Sequence, residues 1–105
     1  SDVLTVLLNL VDLIIKYANF SGEESQIMHQ AIMNANIQIS VADSQRIKAK
    51  LLFGTLCAEV YRVLILLTQK KFTNRDKHRF TFFFQLRFSM SLRSIIDSAR
   101  RKPHS

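Results

Sequence analysis

The sequence predicts an all-α fold, an antiparallel four-helix bundle-like domain, on the basis of three observations. The 105-residue chain is 48% hydrophobic, which is enough apolar material for one core. It contains only two glycines and one proline, too few for the turns of an all-β protein. Its apolar residues recur mostly at helical spacing. Two α-hairpins of a helical-repeat protein would fit the same pattern. We expect residues 1–101 to form one helical domain and 102–105 a flexible basic tail.

The segment from Asp43 to Lys71 contains the longest apolar block and is predicted to be the central helix. Its polar residues fall on one narrow line of a helix, so we expect the helix to be buried on nearly all sides. Gly54 and Ala58 form a small-residue patch, which we interpret as an internal crossing point, with a self-association face as the alternative. Cys57 is expected to be a buried, unreactive thiol. The polar line consists of Lys48, Thr55, Glu59, Arg62 and Gln69.

The first helix is predicted over residues 3–20. Its polar residues recur at alternating spacings of three and four, with apolar residues elsewhere. Asp12 and Lys16 would both lie in hydrocarbon if this helix crossed a membrane, so a buried bundle helix is the better interpretation.

The second helix is predicted from about Gly22 to Asn36, after a capping box formed by Ser21 and Glu24. Residues 36–41 alternate between apolar and polar, which predicts an extended connector or a very short strand. His29 is expected to be a solvated surface histidine, because it has no other metal ligand at suitable spacing.

The last helix is predicted from Thr73, its N-cap, to about Arg101, with Asp76 placed favourably near the helix dipole. Residues 80–92 fit this helix, but they also alternate as a strand does. Because a lone long strand must pair its edges, we expect a helix. The alternative is an α+β fold with a long strand at 80–92.

Residue combinations typical of catalysis are absent from the sequence. There is no glycine-rich phosphate loop and no paired-cysteine motif, and His29, His78 and His104 are spread over the whole chain. We therefore expect no enzymatic activity, no cofactor and no metal site. The single cysteine allows no internal disulfide, which favours an intracellular location, cytoplasmic or nuclear.

Positive charge is concentrated in the last third of the chain. Residues 1–69 carry five basic and six acidic side chains, a net charge of −1, whereas residues 70–105 carry ten basic and two acidic ones, a net charge of +8. Such clustering attracts polyanions. The candidate polyanion-binding residues are Lys70, Lys71, Arg75, Lys77, Arg79, Arg87, Arg93, Arg100, Arg101 and Lys102.

The leading functional hypothesis is a non-enzymatic helical module for protein–protein interaction or oligomerisation. It would present an apolar groove to another protein or to a second copy, because a domain this small has difficulty covering two mostly apolar helices. Tyr17, Met33, Phe82 and Phe83 are the candidate contact residues, since each lies off the best core line of its helix. The alternative is binding of nucleic acid or another anionic surface through the basic residues 70–102, with a membrane surface the less favoured partner.

Overall fold

The computed structural model describes residues 2–41, 46–88 and 100, and its two long described segments are helical throughout apart from short connections. The all-α prediction is therefore confirmed for these segments, and residues 80–88 are helical rather than extended. The predicted continuation of the last helix to Arg101 and the flexible tail lie outside the described ranges. The helices are α1 (Asp2–Tyr17), α2 (Gly22–Val41), α3 (Arg46–Thr68) and α4 (Asn74–Phe88).

The starts of α2 and α4 are fixed by local hydrogen bonds that the sequence predicts. The Glu24 backbone N–H donates to Ser21 Oγ at 3.2 Å, and the Ser21 hydroxyl donates to Glu24 Oε1 at 3.2 Å. At α4, the Asp76 N–H donates to Thr73 Oγ1 at 3.3 Å, and the Thr73 N–H donates back to Asp76 Oδ2 at 2.9 Å. Each pair satisfies backbone groups that the first turn of a helix leaves without partners.

The ends of α1 and α3 share one backbone geometry. Asn19 and Lys70 both adopt left-handed conformations, with φ of 53° and 56°. After α3, the Lys71 N–H donates to the Leu66 carbonyl at 2.8 Å and the Lys70 N–H to the Leu67 carbonyl at 3.1 Å, which is the Schellman arrangement. These reversals direct the chain into the next helix.

The core contains one face of α1 and three buried apolar residues from each of the other helices, with phenylalanines on α4. Phe80, Phe84 and Phe88 are fully buried and follow one another along α4, with ring centroids 5.2 Å and 5.7 Å apart. Phe20, between α1 and α2, lies 6.3 Å from Phe80. α2 makes its most extensive contacts with α4. The buried apolar residues of α1 are Leu4, Leu7, Leu8, Val11, Ile14 and Ile15.

The extended connector predicted at residues 36–41 is wrong, because α2 continues through this segment to Val41. A helix satisfies its own backbone hydrogen bonds, whereas an isolated extended stretch needs a neighbouring strand. Burial here follows the helical period, since Asn34, Ala35 and Gln38 are buried while Asn36 is exposed. The alternation of Ile37 and Ile39 with polar residues therefore does not make this segment extended.

The prediction that α3 is buried on nearly all sides is also wrong. α3 contributes three fully buried apolar residues, Leu56, Val60 and Val63, all on one face. Through this face α3 contacts all three other helices, but its opposite face is left uncovered. α1, too, is covered on one face rather than enclosed, because Val6 and Leu13 are exposed.

Candidate interaction surface

Large apolar side chains are exposed along one face of α3. Ile47 is 78% exposed, Leu51 66%, Tyr61 67% and Ile65 36%. This face lies away from the buried residues of the same helix. Full burial of one such side chain contributes about 1.5–3 kcal/mol of stabilising free energy. A partner that covered this face would therefore be stabilised by the contact.

The predicted polar line of α3 is partly covered instead. Glu59 and Arg62 are half-buried and form a two-point ion pair, with Arg62 Nε 2.7 Å from Glu59 Oε1 and Nη2 3.1 Å from Oε2. The hydrogen-bonded Glu59 carboxylate raises the pKa of Arg62 above its ordinary value. The pair lets two charged side chains lie against the domain while the apolar face points to solvent.

α1 carries a second set of exposed apolar side chains. They lie on the side of the helix opposite its core face, so neighbouring helices leave them uncovered. Eight of the eleven exposed large apolar side chains among the described residues belong to α1 or α3, which makes these two helices the apolar part of the surface. The four residues on α1 are Val3, Val6, Leu13 and Tyr17.

The four predicted contact residues do not share one environment. Tyr17, Met33 and Phe82 are exposed, but they lie on three different helices. Phe83 is half-buried and packs edge-on against the ring of Phe84, with a centroid distance of 5.4 Å. Its ring belongs largely to the core, so Phe83 is a weaker contact candidate than the sequence indicates.

A cleft of about 570 Å³ lies between the first half of α2 and α4. Phe82 is the predicted contact residue that lines it, and its two walls carry opposite charge. His78 Nδ1 lies 2.9 Å from Glu24 Oε2, a contact that joins the α4 wall of the cleft to the α2 wall. The charged lining residues are Glu23 and Glu24 on α2 and Arg75, His78 and Arg79 on α4.

The basic residues of the α3–α4 connection and of α4 are mostly free in solvent. Lys70, Lys71, Arg75, Arg79 and Arg87 are exposed, as is Arg100. Lys77 instead is half-buried and donates from Nζ to the Asn19 carbonyl at 3.3 Å, which ties α4 to the α1–α2 connection. The remaining candidates Arg93, Arg101 and Lys102 lie outside the described residues.

The remaining described residues contain few groups that could bind a metal ion or take part in catalysis. No group of three or more histidine, cysteine or acidic residues within the described ranges is placed to hold a metal ion. Cys57 is half-buried against the core. His29 is exposed, as predicted, but its Nε2 lies 3.0 Å from Asp12 Oδ1 and so links α2 to α1.

Comparisons of the chain with protein-family models, with curated proteins and with solved structures found no match. The exposed apolar and basic surfaces are therefore the features that point to a function.

α3 also has the length and composition of a membrane-crossing helix. Its segment Ile47–Thr68 has 22 residues, and an 18-residue stretch within it has a mean hydropathy of 1.8 and is 17% buried. Core helices of soluble proteins meet the same criteria of length and composition, but they are mostly buried, which α3 is not. Against a membrane span, Glu59 and Arg62 would both lie in the hydrocarbon if the segment crossed a bilayer.

Sequence reasoning missed the residues that dominate this surface, namely Ile47, Leu51, Tyr61 and Ile65. Their spacing of four, ten and four residues already places them on one side of a helix. This spacing does not separate them from core residues, because nearly every position of α3 outside the polar line is apolar.

Proposed function

We propose that the protein is a non-enzymatic helical module for protein–protein interaction or oligomerisation. The supporting observation is the concentration of exposed apolar side chains on α1 and α3. Several large apolar side chains exposed together on a helix face of a small domain are typical of a site that another macromolecule covers. The relevant surface is thus formed by helix faces rather than by the groove expected from the sequence, and Tyr17 is the predicted contact residue that lies on it.

The antiparallel arrangement of the four helices belongs to the same proposal. Its support is that Glu24 and His78 meet near the starts of α2 and α4, while Asn34 and Phe88 meet farther along both helices. α2 and α4 would then run in the same direction, as alternate helices of an up-and-down bundle do.

The interaction function is tested with the full 105-residue chain. We expect the wild type to bind an apolar fluorescent dye and to self-associate or retain a protein in a pull-down. Replacing Leu13 and Leu51 by Gln should reduce these signals without unfolding the domain, since both side chains are exposed. Leu86→Gln, at an equally exposed position on α4, is the control. A monomeric wild type that binds neither dye nor protein would refute the function.

A second candidate function is polyanion binding through the basic residues 70–102. It is favoured by the exposure of Lys70, Lys71, Arg75 and Arg79, whose charges are close in sequence, while Glu59, the acidic residue of α3, pairs with Arg62. Phosphate binding weakens steeply with added salt, unlike apolar contact. We expect binding to nucleic acid or acidic vesicles at low salt to be lost when these four residues become Ala. Lys77 stays in place because it contacts Asn19. No detectable binding at low salt refutes this candidate.

A further inference from the structure

The exposed face of α3 follows a heptad repeat through its whole length. Six residues are spaced by four, three, four, three and four positions, and all six are exposed. Alternation of three and four is the spacing of the seam between two paired helices. The helix packs on its own domain through Leu56, Val60 and Val63, so the seam is free to accept a partner. The seam consists of Ile47, Leu51, Gly54, Ala58, Tyr61 and Ile65.

The seam is symmetric about the level of Leu56. Ile47 and Ile65 lie nine residues to either side of this level, Leu51 and Tyr61 five, and Gly54 and Ala58 two. Each pair matches in size, with isoleucine facing isoleucine, two large side chains facing each other, and two small ones at the centre. A sequence with this symmetry is complementary to its own antiparallel copy, because a two-fold axis brings residue i onto j and j onto i.

We propose that α3 pairs antiparallel with α3 of a second copy of this chain, around a two-fold axis at the level of Leu56. The partner's Ile65 would cover Ile47, its Tyr61 would cover Leu51, and its Ala58 would lie beside Gly54. This inference rests on the proposed interaction function and names both the surface and its occupant.

The centre of the seam is open enough for close approach of two helices. A Cβ atom placed on Gly54 would meet no atom within 4 Å, so the backbone there is accessible. Small residues at a crossing point let two helix backbones approach closely and gain contacts along their length. From Ile47 to Ile65 the seam is about 27 Å long at 1.5 Å per residue, or five helical turns.

Charge favours the antiparallel orientation over the parallel one. Lys48 and Lys50 are exposed beside the start of the seam. A parallel pair would place these lysines next to the same lysines of the second copy, where like charges repel. An antiparallel pair places them beside residues 62–64 of the second copy, where Glu59 neutralises Arg62. The lysines would also lie near the negative end of the partner's helix dipole.

The test uses charge substitutions in the full-length chain, followed by sedimentation equilibrium. We expect the wild type to dimerise. Leu51→Glu and Tyr61→Lys should each raise the dimer dissociation constant by about tenfold or more, because each places two charges in the apolar seam. The double variant should dimerise again, since the introduced carboxylate of one copy meets the introduced ammonium of the other at both symmetric contacts. In a parallel pair each introduced charge would face the same charge on the second copy. Recovery of the dimer is therefore specific to the antiparallel orientation.

The control variant is Leu86→Glu, which changes an equally exposed apolar residue on α4 and should leave the dimer intact. A monomeric wild type, single variants that still dimerise, or a double variant that fails to recover overturns the pairing. Protection of α3 from protease by phosphatidylcholine vesicles also overturns it and assigns the helix to a membrane. A monomer that binds the apolar dye and retains another protein overturns the pairing alone, whereas a monomer that binds neither refutes the interaction function as well.

Discussion

At the residue scale, Asn34 is the polar side chain that connects the most distant parts of the core. It is buried in α2, its Nδ2 donates to the Phe88 carbonyl at 2.8 Å, and its Oδ1 accepts from Gln30 Nε2 at 3.2 Å. Gln38, four positions later, lies on the same face of α2 and is buried as well. Helical periodicity therefore predicts a buried Asn34 only if both polar residues are assigned to the core face. A polar residue facing the core is difficult to predict, because its acceptor is 54 positions away in the sequence.

Replacing Asn34 by Ala should destabilise the protein by about 1–3 kcal/mol, because a buried carbonyl loses its donor and the core loses volume. Urea unfolding of the wild type and the variant measures the difference. Asn36→Ala is the matched control, since Asn36 is exposed on the same helix, and it should change stability little. Equal effects of the two substitutions would contradict the role assigned to Asn34.

Asp12 is one of the residues through which the stability of the protein depends on pH in the acidic range. Lys16 at 3.1 Å and His29 at 3.0 Å both lower the pKa of Asp12 below its ordinary value of 3.8. A carboxylate with a lowered pKa contributes stability above its unfolded value, and the contribution disappears as pH falls through the folded value.

Asp12→Asn should therefore destabilise the protein slightly at pH 7, by less than about 1 kcal/mol because the pair is solvent-exposed. The difference between wild type and variant should decrease below pH 3.8 and vanish once Asp12 is protonated in the folded state as well. Thermal unfolding at a series of pH values measures it. A difference that is constant from neutral pH to pH 2 would show that charge is not the cause.

At the element scale, helix ends were predictable where the hydrogen bonds are local. The caps formed by Ser21 with Glu24 and by Thr73 with Asp76 join residues three positions apart, so the sequence contains both partners. The end of α2 was not predictable in this way. The alternation at residues 36–41 describes side-chain polarity, while the choice of helix depends on whether a strand is available to pair with.

Lys70→Gly should stabilise the protein by about 1 kcal/mol, because Lys70 has a left-handed backbone that costs other residues more than glycine. Its side chain is exposed, so little packing is lost. Lys71→Gly, at the next position, is the control and should not stabilise. Thermal unfolding of both variants decides the question, and a stabilisation that is equal in the two would contradict the backbone explanation.

At the scale of the whole molecule, the position of α3 in the fold could not be predicted from the sequence of α3 alone. Periodicity shows that α3 has apolar residues all around, but it does not show how many neighbours are available to cover them. α1, α2 and α4 all pack on the one face of α3 that carries Leu56, Val60 and Val63, and no further helix among the described residues covers Ile47 and Leu51. The candidate surface is the face of α3 that these three helices leave open.

If α3 pairs with a second copy, the melting temperature should rise with protein concentration, because association stabilises only the folded chain. Leu51→Glu should remove this dependence, whereas Leu86→Glu should retain it. Thermal unfolding monitored by circular dichroism over a hundredfold range of concentration measures the effect. A melting temperature of the wild type that is independent of concentration would contradict the coupling of folding to pairing.

The exposed apolar side chains on α1 would give such a dimer a tendency to polymerise. Pairing through α3 gives a closed dimer, because each copy uses its α3 face and leaves no α3 face free for a third copy. Contact between α1 of one molecule and α3 of the next is head-to-tail, and it leaves an unused face at each end for further growth. The preference of α3 for its own copy would thus decide whether concentrated solutions contain discrete particles or open-ended fibres. Substitutions that weaken α3 pairing while leaving Val6 and Leu13 exposed should therefore be screened for polymer by light scattering.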